Sequence, residues 1–68
     1  MDAEEFRAIL DQLGWKQADL ARRLSEASGE TMHAQTVNRW AKGSNRVHPG
    51  VAAYLRLALE IKRTQIEV

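Results

Sequence analysis

Apolar residues recur along this chain at helical spacing, in four blocks punctuated by glycine or proline. In "DAEEFRAILDQLG" the positions Phe6, Ile9, Leu10 and Leu13 fall at i, i+3, i+4 and i+7, which puts them on one face of a helix. Asp2 stands before the stripe as N-cap, with Glu5 three residues on as its capping-box partner. Gly14 follows, and glycine takes the left-handed conformation that closes a helix at little cost. "KQADLARRLSEASG" reads as a second helix, with Leu20, Ala21, Leu24 and Ala27 on a shared face and Gly29 as its stop. Only Trp15 and Lys16 separate Gly14 from Gln17, so the first two helices are neighbours in space.

"ETMHAQTVNRWAKG" holds a third helix, with His33 at the N-cap position, Ala34 opening it and Gly43 closing it. Val37, Trp40 and Ala41 form its buried stripe. "SNRVH" reads as a polar loop. Pro49 suits the first position of a fourth helix, where its missing N–H costs nothing. Val51, Tyr54, Leu55, Ala58 and Ile61 follow at helical spacing. The ending "TQIEV" alternates polar and apolar, which leaves open a short strand, a frayed helix end or disorder. The pattern predicts an all-α fold, a compact bundle of four to five short helices over residues 1–63 with a tail over 64–68.

Composition narrows the function classes. A chain of 68 residues buries only roughly 60% of its unfolded surface, which leaves no room for a deep catalytic cleft beside a core. A charged fraction of 28% with 44% hydrophobic residues fits a folded bundle rather than a disordered chain. The absence of cysteine rules out a disulfide framework and a thiolate zinc site and fits a reducing cytosol. No apolar run approaches the ~20 residues that span a bilayer, and "MDAEEF" is too acidic for a signal peptide. The expectation is a cytoplasmic protein of bacterial cytosol or nucleoid type, with no membrane partner, no cofactor and no small-molecule ligand. Ser25, Ser28 and Ser44 have no His–Asp arrangement around them, and no glycine-rich phosphate loop occurs, so an enzyme is not expected.

Charge is segregated although the net charge is only +1. Met1 to Trp15 holds four acids and one base, Arg7. Thr31 to Leu59 holds Arg39, Lys42, Arg46 and Arg56, with His33 and His48, and no acid. A positive field over one part of the molecule is the footprint of a phosphate-binding surface. The third helix lies in that stretch. An α-helix fits the major groove of B-DNA, and a helix used that way anchors one face in its own core and lines the other with donors. Val37, Trp40 and Ala41 supply the anchor, and Gln35, Asn38, Arg39 and Lys42 lie opposite. Arginine donates twice to guanine, Gln and Asn pair with adenine, and Lys42 near the helix end suits a phosphate. A plain solvated face is the competing reading, but such a face ordinarily mixes signs.

"LGWKQADLARR" followed by "TVNRWAKG" resembles the helix-turn-helix of the phage repressor and Cro type, over roughly residues 5 to 61. Gln17 matches the glutamine that opens the first motif helix, and Ala21 matches the small residue packed against the recognition helix. Thr36, Val37, Arg39 and Trp40 match the core of that helix, Gly43 the glycine after it, and Pro49 the proline opening the next helix. The resemblance implies base contacts from Gln35 and Arg39, with Asn38 and the methyl of Ala34 as further readers. It implies phosphate contacts from Lys16, Gln17, Thr36, Lys42 and the loop Ser44, Asn45 and Arg46. The readings left for His33 are phosphate contact, to which it is assigned, or solvent exposure. The two histidines have no acid or cysteine beside them and make no metal site.

Three departures from the family pattern stand out. Eleven residues separate Leu24 from Thr36, a longer link with an insertion over 25–30. Lys16 occupies the slot of a capping Ser, Thr or Asn, where it meets a phosphate instead. Leu10 and Ala41 replace an Arg–Glu pair, which leaves no acid near the DNA face. Trp15 is expected to wedge between the first and fourth helices, and Arg22 and Arg23 to sit on the exposed side of the second, one of them within reach of a phosphate. Leu57 and Leu59 fall off the main stripe of the fourth helix; with Ile66 and Val68 they either form a dimer contact or widen the core face. The reading these residues support is a homodimeric, sequence-specific DNA-binding regulator, a repressor of its own phage or mobile-element operon, on an inverted-repeat operator. The alternatives are an antitoxin-like or other helical protein-interaction module, and a non-specific architectural DNA binder.

Overall fold

A computed structural model describes the backbone of residues 1–67 and the side chains of residues 1–64. The chain is all-helical, with α1 (Ala3–Leu13), α2 (Gln17–Ser28), α3 (Ala34–Lys42) and α4 (Pro49–Glu67), and no strand occurs among the described residues. Asp2 caps α1, its Oδ1 accepting from the Glu5 N–H at 2.7 Å. At the start of α2 the roles are different. Lys16 has no acceptor to offer, and only the return bond of a capping box forms, from the Lys16 N–H to Asp19 Oδ2 at 2.9 Å. Gly14, Gly29 and Gly43 end the first three helices, all in the left-handed conformation.

Each helix contributes one side chain with no exposed surface: Phe6, Leu20, Val37 and Leu55. Around them α1 packs on α3 and α4, and α2 packs on α3. Phe6 meets the Trp40 ring edge-on, with centroids 6.1 Å apart and planes at 78°, an arrangement that favours the ring quadrupoles. Glu5 pairs with Arg56 at 3.5 Å, and Lys62 Nζ donates to the Gln12 carbonyl at 2.7 Å. These ties advance together, so α4 runs alongside α1 in the same direction. Trp15 sets its ring 6.2 Å from that of Tyr54 on α4 and under Arg23 of α2, rather than between α1 and α4 alone.

Several sequence expectations need correction. Ala27 is exposed rather than part of the α2 core face, because α4 does not close over the far end of α2. Val47, in the segment read as a polar loop, is buried, as is Ala52. Ile61 is 50% exposed, because the core that α4 covers ends before it. Of the strand, helix end and disorder left open for "TQIEV", the structure has the helix end, as far as Glu67, with Thr64 Oγ1 donating to the Glu60 carbonyl. Leu59 is half-buried against the core, while the Ile66 side chain and Val68 lie outside the described residues. Among the described residues no helix is long and apolar enough to cross a membrane.

The long link between α2 and α3 is closed by two serines. The Ser25 hydroxyl donates to the Ala21 carbonyl at 2.8 Å and accepts from the Met32 N–H at 2.8 Å. Ser28 Oγ donates to the Leu24 carbonyl and accepts from the Glu30 N–H. The segment is therefore the last turn of α2, closed at Gly29, with the following residues brought back to Ser25.

The start of α4 has an unusual cap. His48 Nδ1 accepts from the Gly50 N–H at 3.0 Å. A Cβ on Gly50 would stand 3.2 Å from that nitrogen, so glycine gives the ring room to approach. Replacing His48 with Ala should lower stability by about 1 kcal/mol, while His48→Asp should retain most of it. Urea unfolding of the two variants checks this; equal losses would show that the side-chain acceptor contributes nothing.

Candidate nucleic-acid interface

The candidate surface is built on α3. Val37, Trp40 and Ala41 are buried, and Gln35, Arg39 and Lys42 are exposed on the other side. Ala34 and His33 are exposed at the first turn, and the His33 side chain makes no capping bond. Thr36 and Asn38 are half-buried, Asn38 against Gln17 of α2. Nine residues make a helix of about 13–14 Å at 1.5 Å per residue, enough for a few base steps.

The far end of α3 is firmly held. Ser44 N–H donates to the Arg39 carbonyl at 3.0 Å, and the Gly43 N–H donates to the Trp40 carbonyl at 3.2 Å. Gly43 has φ +81° and a Cβ there would stand 3.4 Å from the Cβ of Ala3. The turn thus presses the loop against the start of α1. Arg7 reaches across from α1 and donates through Nη1 to the Ala41 carbonyl. This bond satisfies a carbonyl of the last turn and brings a positive charge to the negative end of the helix dipole. Sequence reasoning missed Arg7 as part of this site. Its signal was being the lone base in the acid-rich first segment.

Ser44, Asn45 and Arg46 are all exposed, with Val47 buried beneath as their anchor. Asn45 and Arg46 border a shallow depression shared with Met1 and Asp2. An acid therefore does stand at the edge of this surface, contrary to the sequence expectation. Lys16 and Gln17, at the N-terminus of α2, lie in a second depression with Arg7 and Asp11.

Gln17 and Asn38 meet. Asn38 Nδ2 donates to Gln17 Oε1 at 2.9 Å, and both are half-buried. A carboxamide has one acceptor end and one donor end. With its oxygen engaged, Gln17 presents its Nε2 hydrogens outward. Of the four residues expected to read bases, Asn38 has one of its two amide hydrogens engaged, in a bond that ties α2 to α3.

The positive field is smaller than the sequence suggested, and better focused. Arg56 is paired with Glu5. Arg22 is paired with Asp19 at 3.3 Å. Arg23 lies over the Trp15 ring, 4.2 Å from its centroid, a cation–π contact rather than a free phosphate ligand. Among the described residues Lys16, Arg39, Lys42 and Arg46 form no ion pair. All four are exposed, at the two ends and along the outer face of the α2–α3 unit. Among the described residues no group of acids and histidines is placed to hold a metal ion.

Comparison with protein-family models, with curated proteins and with solved structures gives no match to this chain. The functional reading rests on the residues themselves.

The Gln17–Asn38 bond should appear in a double-mutant cycle. With Gln17→Ala, Asn38→Ala and the pair, urea unfolding should give a coupling of about 0.5–1.5 kcal/mol. Additive losses would show that the bond adds nothing to the docking of α3.

Proposed function

We propose that this protein is a sequence-specific double-stranded DNA-binding regulator resembling the phage repressor and Cro type, with α2 and α3 as its helix-turn-helix. The observation that carries the reading is the outer face of α3. Gln35, Arg39 and Lys42 stand exposed on it, its opposite face is locked into the core, and its arginine and lysine have no acid partner among the described residues. A helix of this size and polarity enters the major groove with its donors toward the base edges.

In this reading Arg39 donates two hydrogen bonds to guanine N7 and O6, Gln35 pairs with adenine, and Ala34 offers its methyl group to thymine. Asn38 acts as a positioning residue, turning the Gln17 amide so that its hydrogens meet a phosphate. Lys16, Lys42, Thr36, His33 and the Ser44–Arg46 loop meet the flanking phosphates, and the N-terminus of α2 adds its free N–H groups. Two copies bind an inverted repeat, with half-sites one helical turn apart. Occupying a promoter in this way blocks polymerase, so the protein acts without catalysis, as a repressor in the cytosol or nucleoid of its cell.

Selection of bound duplexes from a randomised DNA pool tests the reading, and an enriched inverted repeat is the expected result. On the selected site, Arg39→Ala should cost about 1–3 kcal/mol and relax the preference at one base pair. Lys42→Gln should weaken all sequences alike and reduce the log–log salt slope by about 0.9. A pool retained without any enriched sequence would leave a non-specific binder, and no retention would remove DNA from the account.

A further inference from the structure

We propose that the groove between α2 and α4 is a docking surface for an acidic amphipathic helix of a different protein. The groove is open, with a volume of about 470 Å³. Its apolar walls are the buried or half-buried Leu13, Trp15, Tyr54 and Ala58, and the exposed Leu57 and Ile61. The last two are 59% and 50% exposed, large hydrophobic side chains left uncovered among the described residues. They stand one helical turn apart on α4 and form one edge. None of the walls belongs to α3. An occupant therefore leaves the candidate DNA face clear, and the proposal does not rest on the DNA reading.

Charge identifies the kind of partner. Two cations complete the walls, Arg23 from α2 and Lys62 from α4, and no acid is among them. Arg23 lies over the Trp15 ring, and among the described residues it forms no ion pair. A guanidinium held by a ring face keeps its N–H donors for an acceptor. Lys62 donates one of its three N–H groups to the Gln12 carbonyl, which fixes the charge in place and leaves the other two. The acids nearby are directed elsewhere. Asp19 holds Arg22, and Asp11 and Glu60 border other depressions. Glu26, a turn along α2 from Arg23, does not pair with it. Carboxylates on a docking partner therefore meet both cations without displacing an acid of this chain.

Shape selects a helix. A small ligand is held firmly by a pocket that buries roughly 70–90% of its surface, and an open groove contacts it on one side only. A helix fills the groove with an apolar stripe at i, i+3, i+4 and i+7, and the same stripe covers the Leu57 and Ile61 edge. Its acidic flanks then lie over Arg23 and Lys62. A second copy is disfavoured by charge. Under a two-fold axis the same surface meets itself, which gathers two arginines and two lysines in one contact with no acid among the walls.

The probe is a hydrocarbon-stapled helical peptide of about four turns, with leucines at i, i+3, i+4 and i+7 and glutamates on both flanks. In an NMR titration of the isotope-labelled protein it should shift the Trp15 indole signal and the amides around Leu57 and Ile61, with a Kd of about 10–100 μM for a small transient contact. The same peptide with lysines for the glutamates should bind at least about tenfold more weakly. Arg23→Gln and Lys62→Gln should each weaken the acidic peptide about 2–5-fold. Leu57→Ser combined with Ile61→Ser should abolish its binding and leave the helical circular-dichroism spectrum unchanged. Arg39→Ala should bind it as the wild type does, so a failure here is read separately from a failure of DNA binding. Equal binding of the two peptides overturns the acidic partner, and binding of neither overturns the groove as a helix site. Shifts at the same residues that grow with protein concentration alone would give the groove to a second copy. Shifts from monomeric laurate without shifts from the peptide would give it to a small amphiphile, and either result overturns the proposal.

Discussion

The edge-on contact between Trp40 and Phe6 determines which way α3 faces, and every argument about its outer surface depends on that. A nine-residue helix is too short to persist alone in water. It exists here because Val37, Trp40 and Ala41 are buried against α1 and α2. Turning α3 by one residue would move its polar row by about 100°, taking Arg39 into the core and Trp40 out of it. The large aromatic pair makes that alternative prohibitive. Arg7 and the turn at Gly43 add a second restraint at the far end, by holding the last carbonyls. The helix is thus fixed in rotation by its middle and in tilt by its end.

The acids of the chain are placed with matching consistency. Asp2 caps α1. Glu5 holds Arg56. Asp19 accepts from Lys16 and Arg22 together. These three acids are engaged at helix ends or with a base. Among the described residues the exposed bases on and beside α3, Arg39, Lys42 and Arg46, form no ion pair. Surface pairs of this kind contribute little stability; their effect here is to decide where the net positive potential appears.

Most of the fold was legible in the sequence because its signals are local. Asp2, Gly14, Gly29, Gly43 and Pro49 act on the backbone next to them, and the boundaries of the first three helices fall where those residues predict. What was not legible depends on where other elements lie. Val47 is buried because it joins the core cluster built by the four helices, which no local pattern encodes. Ala27 and Ile61 have the right spacing for burial, but nothing packs over them. The same division holds at the candidate site. The polar face of α3 could be read from periodicity, whereas Arg7 on the Ala41 carbonyl, Asn38 on Gln17 and Arg23 on Trp15 are meetings between helices. Such contacts follow from packing, and the sequence carries no short-range trace of them.

The Ser25–Met32 bond closes the α2–α3 link at its base. Between its two ends lie the last turn of α2 and the link over residues 29–31, and residues 26–31 are all exposed. Lengthening a surface loop costs little, because closure entropy grows only with the logarithm of its length. The aim of α3 is therefore insulated from changes in this segment. Descendants of the chain are free to gain or lose residues there without re-registering the two helices, and the same place offers an engineer an insertion point for a reporter peptide.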